Sequence, residues 1–215
     1  MNSLRRRCTL TLLGLLVAWA GQALVASAQA VGAGPARVEL EGRELLEALR
    51  GGGFILYFRH TSTDFGQSDD RMSGYEDCAT QRNLTDKGRA EARALGADLR
   101  ALGIPIGDVL ASPFCRTMET AQLMFGRAAA TPAVRGGSAQ PDSPARYAAL
   151  RELLAAPVSR GTNLAIASHG NPYRAVAGGT YLMEGEAAVI EPRGTAGFRV
   201  VARLRKDEWK DLALH

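Results

Sequence analysis

Two short apolar segments of this chain each lead into a histidine. Residues 54–58 (FILYF) follow three glycines and run directly into Arg59 and His60, and residues 163–167 (NLAIA) end two positions before His169. Short apolar segments of this kind are typical of buried strands, and parallel α/β sheets bind ligands at the carboxyl ends of their strands. The chain contains 3 histidines, of which the third is its last residue. The pattern therefore predicts a parallel sheet with both internal histidines in one ligand site.

The other predicted elements alternate between helices and strands. Thr85 is a predicted N-cap for a helix over 86–102, and Pro144 stands at the start of a helix over 144–155. Residues 127–141 are predicted to be irregular, with a short strand near 133–134. Further helices are predicted over 42–50, 116–125 and 172–178, and further strands over 108–111, 187–190 and 198–204, the last two as an antiparallel hairpin. This order predicts an α/β three-layer sandwich, with a mostly parallel central sheet and helices on both faces.

Residues 1–30 have the composition of a secretory signal peptide. Three arginines at positions 5–7 precede an apolar stretch over 8–20, and small residues follow at 26–30. An uncleaved membrane anchor is the alternative, but the apolar stretch is short for a transmembrane span. We therefore expect cleavage after Ala30, a single domain over 31–215, no stable membrane insertion after cleavage, and a periplasmic or secreted protein.

Removing this leader changes the charge balance of the chain. The whole chain has 26 basic and 22 acidic residues, and the leader contains three arginines and no acid, which leaves 23 basic residues against 22 acidic ones. A nearly neutral chain gives no indication of nucleic-acid binding. The two cysteines that remain, Cys78 and Cys115, are either a disulfide, as expected outside the cytoplasm, or two buried thiols. The sequence does not indicate an oligomeric state.

The polar residues at the predicted strand ends suit a phosphate monoester. Arg59 and Arg116 can supply guanidinium groups that bind phosphate oxygens in pairs, and Arg116 lies in the first turn of a predicted helix, where backbone N–H groups favour an anion. His60 can act as the nucleophile through one ring nitrogen, and His169 can stabilise charge on the phosphoryl oxygens. Arg82 and Arg174 also lie beside these segments; either could contact the substrate, but a solvated charge is the favoured interpretation for both.

Four segments together resemble the histidine phosphatase superfamily, in the branch of the phosphoglycerate mutases and small phosphohistidine phosphatases. They are YFRHT at 57–61, LTDKGRAEA at 84–92, ASPFCRTMETA at 111–121 and SHGN at 168–171, in the order of the family. The resemblance implies a phosphoglycerate mutase-like fold, phosphorylation of His60 followed by hydrolysis, and a phosphoryl group held by Arg59, Arg116 and His169. It also implies that no metal ion or organic cofactor is needed. Thr61 stands where the family commonly has glycine.

The sequence leaves the proton donor for the leaving group open. Relatives often carry an acidic residue between the second arginine and the second histidine, and this interval contains Glu119, Asp142 and Glu152. Asp64 follows the first histidine, and Glu184 and Glu186 follow the predicted helix after His169. We expect one of these last two, and we include Glu184 among the catalytic residues.

Three alternatives to a metal-independent phosphatase remain. A binuclear metal site could use both histidines and Asp64, but the arginines already supply the positive charge that a metal would provide. A non-catalytic phospho-ligand binding protein and a phosphomutase could share the same residues. We favour an exported phosphomonoesterase that acts on small-molecule or glycan-linked phosphate esters, with an open pocket.

Overall fold

The computed structural model describes residues 39–135 and 143–214. The predicted leader and Asp142 lie outside these residues. The described residues form a six-stranded sheet in the order β3-β2-β4-β1-β5-β6. The strands are β1 Ile55–Arg59, β2 Ile106–Ala111, β3 Ala129–Ala130, β4 Asn163–Ser168, β5 Ala187–Pro192 and β6 Phe198–Leu204. Strands β1 to β4 pair in parallel, whereas β5 is antiparallel to both β1 and β6.

Helices cover both faces of this sheet. They are α1 Gly42–Gly51, α2 Asp86–Ala101, α3 Cys115–Phe125, α4 Ala148–Ala155 and α5 Gly170–Ala177. Successive side chains of a strand point to opposite faces, and β1 is buried on both. Leu56 and Phe58 pack in the cluster that contains α1 and α2, whereas Ile55 and Tyr57 pack in the cluster that contains α4 and α5. The predicted three-layer α/β sandwich with a mostly parallel sheet and an antiparallel edge is confirmed.

Helix α2 is anchored at its start as the sequence predicted. The Thr85 hydroxyl accepts a hydrogen bond from the backbone N–H of Gly88 at 3.0 Å. A Cβ atom at Gly88 would lie 2.0 Å from the carbonyl oxygen of Ser62, so only glycine permits this approach. Helix α2 therefore packs directly against the chain that leaves β1.

Two local predictions between α3 and β4 were wrong. The strand expected near 133–134 is a 3₁₀ turn, Pro132–Val134, and the neighbouring strand lies earlier, at Ala129–Ala130. The proline fixes the start of this turn, and the Thr131 hydroxyl accepts the N–H of Ala133. The helix expected over 144–155 begins with a 3₁₀ segment, Pro144–Tyr147, before α4. None of the helices in the described ranges has the length and apolar character that are needed to cross a membrane.

Candidate active site

The carboxyl ends of β1, β4 and β2 lie side by side. Arg59, the last residue of β1, is aligned with Ser168 of β4, and the backbone N–H of His60 donates to the Ser168 carbonyl at 3.0 Å. The ring centroids of His60 and His169 are 5.7 Å apart, with the rings edge to face. The structure therefore brings together the two histidines that the strand pattern placed in one site.

His60 is held as a neutral ring with a defined tautomer. Its side chain is buried, and Nδ1 lies 3.0 Å from the carbonyl oxygen of Thr61. Because a carbonyl oxygen only accepts, Nδ1 carries the hydrogen and Nε2 keeps the lone pair. Burial, followed by the positive charges of Arg116 and Arg59, lowers the pKa of His60 to about 3, although the Thr61 hydrogen bond opposes the shift. The neutral ring presents Nε2 as a possible nucleophile.

His169 stands at the N-cap position of α5. Its Nε2 lies 2.8 Å from the hydroxyl oxygen of Ser112, and its ring centroid lies 5.0 Å from that of Phe114. The Tyr57 hydroxyl donates to the backbone carbonyl of His169 at 2.9 Å. Burial, and then the charge of Arg116, lowers the pKa of His169 well below its ordinary value. Ser112 was not among the predicted site residues, although it follows a predicted strand just as the histidines do.

Arg116 lies in the first turn of α3 and is buried. Its Nη1 donates to the Asp69 carboxylate at 3.0 Å and to the Arg82 carbonyl at 3.2 Å. Burial lowers the pKa of Arg116, and the contact with Asp69 opposes this shift. Burial alone would raise the pKa of Asp69, but hydrogen bonds from the Arg82 N–H and from Arg116 outweigh it, so the pKa is lowered. Asp69 is a site residue that the sequence did not indicate.

Arg59, Arg82 and Arg116 share a feature that Arg146 and the Trp209 indole also have, but only these three lie beside His60. Each has a buried Nε atom with no hydrogen-bond acceptor among the described residues, and the charges of all three act on His60. A buried N–H group without an acceptor is costly, and an oxyanion with several lone pairs is a ligand that can satisfy converging guanidinium groups. The prediction that Arg82 is only a solvated charge was therefore wrong, because its backbone and its stacking on Phe65 hold it beside the site.

The comparison with protein families agrees with this arrangement. The histidine phosphatase superfamily (branch 1) profile matches residues 55–137, the part of the chain with the first three of the four motif segments and with His60, Arg82 and Arg116. This part of the chain, less than half of its length, is therefore similar to the histidine phosphatase superfamily. No curated protein matches the sequence significantly.

Two solved structures share the fold of this chain. The protein histidine phosphatase SixA complexed with tungstate has a TM-score of 0.50 and 17% identity, over 72% of this chain and 98% of its own. The putative phosphohistidine phosphatase SixA from Agrobacterium tumefaciens has a TM-score of 0.50 and 16% identity, over 71% of this chain and 97% of its own. At these identities the likeness concerns the fold alone.

Among the acidic candidates, Glu184 lies in the candidate site beside His60 and Arg59. Its carboxylate accepts from the Thr63 hydroxyl at 2.6 Å and lies 3.8 Å from His60 Nδ1 and 3.7 Å from Arg59 Nη2. Glu186 instead pairs with Arg203 at 2.6 Å. The other candidates lie elsewhere or outside the described residues: Glu119 pairs with Arg89 at 2.7 Å, Glu152 is exposed on α4, and Asp142 is not described.

The metal alternative does not assemble in the described residues. Asp64 is exposed, and its carboxylate accepts the N–H of Gly66 at 2.8 Å within a turn. Within 39–135 and 143–214, no group of three or more His, Cys, Asp and Glu side chains is arranged to hold a metal ion. The structure therefore does not bring His60, His169 and Asp64 together as a ligand set.

A disulfide ties the long loop after β1 to the start of α3. Cys78 and Cys115 are bonded, with their Cα atoms 5.7 Å apart, so the alternative of two buried thiols was wrong. The Gln81 side chain accepts from the Cys115 N–H at 3.0 Å and donates to the carbonyl of Tyr75 at 3.0 Å. Because Arg116 follows Cys115, the bond fixes the loop next to a residue of the site.

Proposed function

We propose that this protein is an exported phosphomonoesterase that works through a phosphohistidine on His60 and needs no metal ion. One observation carries the proposal: a neutral, buried histidine lies beside three arginines whose buried Nε atoms lack an acceptor in the described protein. Fixed positive charge of this kind stabilises a phosphoryl group in the transition state. The match of residues 55–137 to the histidine phosphatase superfamily supports phosphatase chemistry.

The proposed reaction has two steps. In the first, Nε2 of His60 forms a bond to phosphorus, the ester P–O bond breaks, and the leaving alkoxide takes up a proton. In the second, water attacks phosphorus and gives a proton to the group that protonated the alkoxide, the P–N bond breaks, and inorganic phosphate leaves neutral His60 behind. The hydrogen bond from Nδ1 to the Thr61 carbonyl stabilises the positive charge that develops on the ring during the first step.

The surrounding side chains have distinct proposed roles. Arg59 and Arg116 bind the phosphoryl oxygens through their guanidinium groups, and Arg82 is a third such group. His169 is held in place by Ser112 and by the Tyr57 hydrogen bond to its carbonyl, and it contacts the same oxygens. Asp69 is a positioning residue, because its hydrogen bond orients the Arg116 fork.

Glu184 is the proposed proton donor to the leaving group. Of the described carboxylates, it alone makes a close contact with a ring nitrogen of His60. The contact is on the Nδ1 side of the ring and near Arg59, so proton donation requires the carboxyl group to reach past the ring to the leaving oxygen, which lies opposite Nε2 in an in-line displacement. Glu184 can therefore act as the proton donor only for an ester whose leaving oxygen is bound within reach of its carboxyl group.

The location outside the cytoplasm is part of the proposal. It is supported by the composition of residues 1–30 and by the Cys78–Cys115 bond, since disulfides persist mainly in oxidising compartments.

The test is hydrolysis of p-nitrophenyl phosphate by the protein purified after expression of the full chain, with and without EDTA. We expect turnover that resists EDTA and disappears in His60→Ala, and a phosphoprotein that can be trapped in alkali from the wild type only. Arg174→Ala is the matched control, because Arg174 is an exposed arginine on α5. Absence of turnover in the wild type would instead indicate a binding protein, and loss of turnover in EDTA would indicate a metal-dependent enzyme.

A further inference from the structure

A groove of about 700 Å³ leads away from the phosphoryl site. Its lining residues include Arg59 and Glu184 of the site, the apolar side chains of Phe65 and Met183, and Lys206 in the segment after β6. Its volume lies in the range of sites that hold small organic molecules. Because Arg59 and Glu184 are among its lining residues, the groove adjoins the candidate phosphoryl site.

Two exposed apolar side chains line this groove. Phe65 is 72% exposed and Met183 is 64% exposed, and the other large apolar side chain with comparable exposure in the described chain is Leu214 at 73%. An apolar side chain left in water contributes little to folding, and exposed apolar surface beside polar residues often marks a ligand contact. Of these three side chains, two therefore lie together next to the phosphoryl site.

Both side chains are presented by well-defined turns. The ring of Phe65 lies 5.0 Å from the guanidinium carbon of Arg82, and the flanking turn is closed by the hydrogen bond from Gly66 N–H to Asp64. The backbone N–H of Met183 donates to the Glu186 carboxylate at 2.6 Å. The two apolar groups are thus held at the mouth of the site.

The charged residues of the groove already have partners within the protein. Lys206 pairs with Glu91 at 2.5 Å, Arg205 pairs with Glu208 at 2.8 Å, and Glu186 pairs with Arg203. Beside these paired charges, Phe65 and Met183 offer apolar contact to the organic part of a substrate. Aromatic groups suit such a site, because they pack well against both a phenyl ring and a thioether.

We propose that this groove binds the leaving group of the substrate and selects phosphomonoesters whose organic part is apolar, of about the size of an aromatic ring. The proposal rests on the phosphatase function proposed above and specifies the substrate class of the same site. Phe65 and Met183 are its specificity-determining residues. They contact the organic group, while the arginines hold the phosphoryl group.

The test compares 2-phenylethyl phosphate with ethyl phosphate on the protein purified after expression of the full chain. The two alcohols have similar acidity, so kcat/KM reports the added ring rather than leaving-group chemistry. We expect the wild type to prefer 2-phenylethyl phosphate about tenfold or more. Phe65→Ala and Met183→Ala should each reduce this preference several-fold, and Leu214→Ala should not. Met183→Ala is the second variant because Phe65 also stacks on Arg82, so that Phe65→Ala changes the surroundings of a phosphoryl-binding arginine as well.

Each outcome decides one of the two proposals. Equal kcat/KM for both esters in the wild type, or equal losses for both esters in the groove variants, would overturn the groove proposal and leave the phosphatase intact. Failure of the wild type to hydrolyse these esters and p-nitrophenyl phosphate alike would overturn the phosphatase proposal itself. A preference for 2-phenylethyl phosphate that is unchanged in both variants would also overturn the groove proposal, because the selecting contacts would then lie elsewhere.

Discussion

A histidine that attacks phosphorus needs a free lone pair at the pH of the reaction. The folded-state pKa of His60 is lowered to about 3, below the ordinary value of about 6.5. The free enzyme therefore takes up a proton on His60 only as the pH approaches 3. After correction for substrate ionisation, we expect kcat/KM to show no acid limb near pH 6.5 and to persist to about pH 4. An acid limb with an apparent pKa of about 6.5 would mean that the nucleophile is less buried than the structure indicates.

Glu184 offers a second prediction at the residue scale. A general acid matters most when the leaving group is a poor one. We expect Glu184→Gln to lower kcat about 100-fold for ethyl phosphate and less than about tenfold for p-nitrophenyl phosphate, because p-nitrophenolate leaves without protonation. Glu152→Gln, on the exposed face of α4, is the matched control. Equal losses for both esters would make Glu184 a positioning residue that acts through Arg59 and Thr63.

The residues that the sequence predicted and those that it missed differ in one physical respect. His60 and His169 could be predicted because each follows an apolar strand, and parallel strands end together. Asp69 lies in a long loop without periodicity, and its partner Arg116 is brought to it by tertiary folding. The burial of the Arg82 Nε has the same origin. Contacts that depend on the path of a loop leave no pattern in the sequence.

At the scale of elements, the helices and long strands follow from their apolar spacing, and the exceptions are local. The turn at Pro132–Val134 contains an apolar pair that resembles a strand, and only the tertiary structure shows that the neighbouring Ala129–Ala130 pairs with β2. From the sequence, Cys78 and Cys115 could be either a disulfide or two buried thiols, because spacing along the chain does not give the distance between two cysteines in the fold.

A disulfide joins the loop between β1 and α2 to the first residue of α3. The bond joins residues 37 apart in sequence, and loss of such a bond costs about 2–4 kcal/mol in the free energy of unfolding. We expect the double variant Cys78→Ser/Cys115→Ser to show this loss and to raise KM for p-nitrophenyl phosphate about tenfold, because Asp69 and Arg82 on the loop orient Arg116. Treatment of the wild type with reductant should reproduce both effects. An unchanged KM would show that the Gln81 and Asp69 hydrogen bonds hold the loop by themselves.

The contact between α2 and the segment after β1 gives another prediction at this scale. A Cβ atom at Gly88 would lie 2.0 Å from Ser62 O, whereas one at Gly51 would meet nothing within 4 Å. Gly88→Ala should therefore lower the free energy of unfolding by about 1–3 kcal/mol, and Gly51→Ala at the end of α1 should change it by less than about 1 kcal/mol. Chemical denaturation of the two variants measures both. Equal stability of the two would mean that α2 can move away from Ser62 at little cost.

For the whole molecule, the distribution of charge matters more than its sum. Without residues 1–30 the chain has 23 basic and 22 acidic residues, yet the charges of Arg59, Arg82 and Arg116 all act on His60. A concentrated positive potential of this kind raises the local concentration of an anionic substrate. The same molecule therefore combines a nearly neutral surface balance with a strongly cationic site.

The proposed compartment leads to a prediction for the complete chain. Expressed with residues 1–30 in a bacterium with a periplasm, the protein should appear in the periplasmic fraction, begin at Val31, and contain the Cys78–Cys115 bond. Without residues 2–30 it should remain in the cytoplasm with both thiols reduced. Ala28→Asp, which replaces a small residue of the predicted cleavage site, should block processing. N-terminal sequencing and intact mass with thiol labelling distinguish these states. An unprocessed chain in the membrane fraction, oxidised at both cysteines, would instead identify the leader as an anchor and keep the catalytic domain outside the cytoplasm.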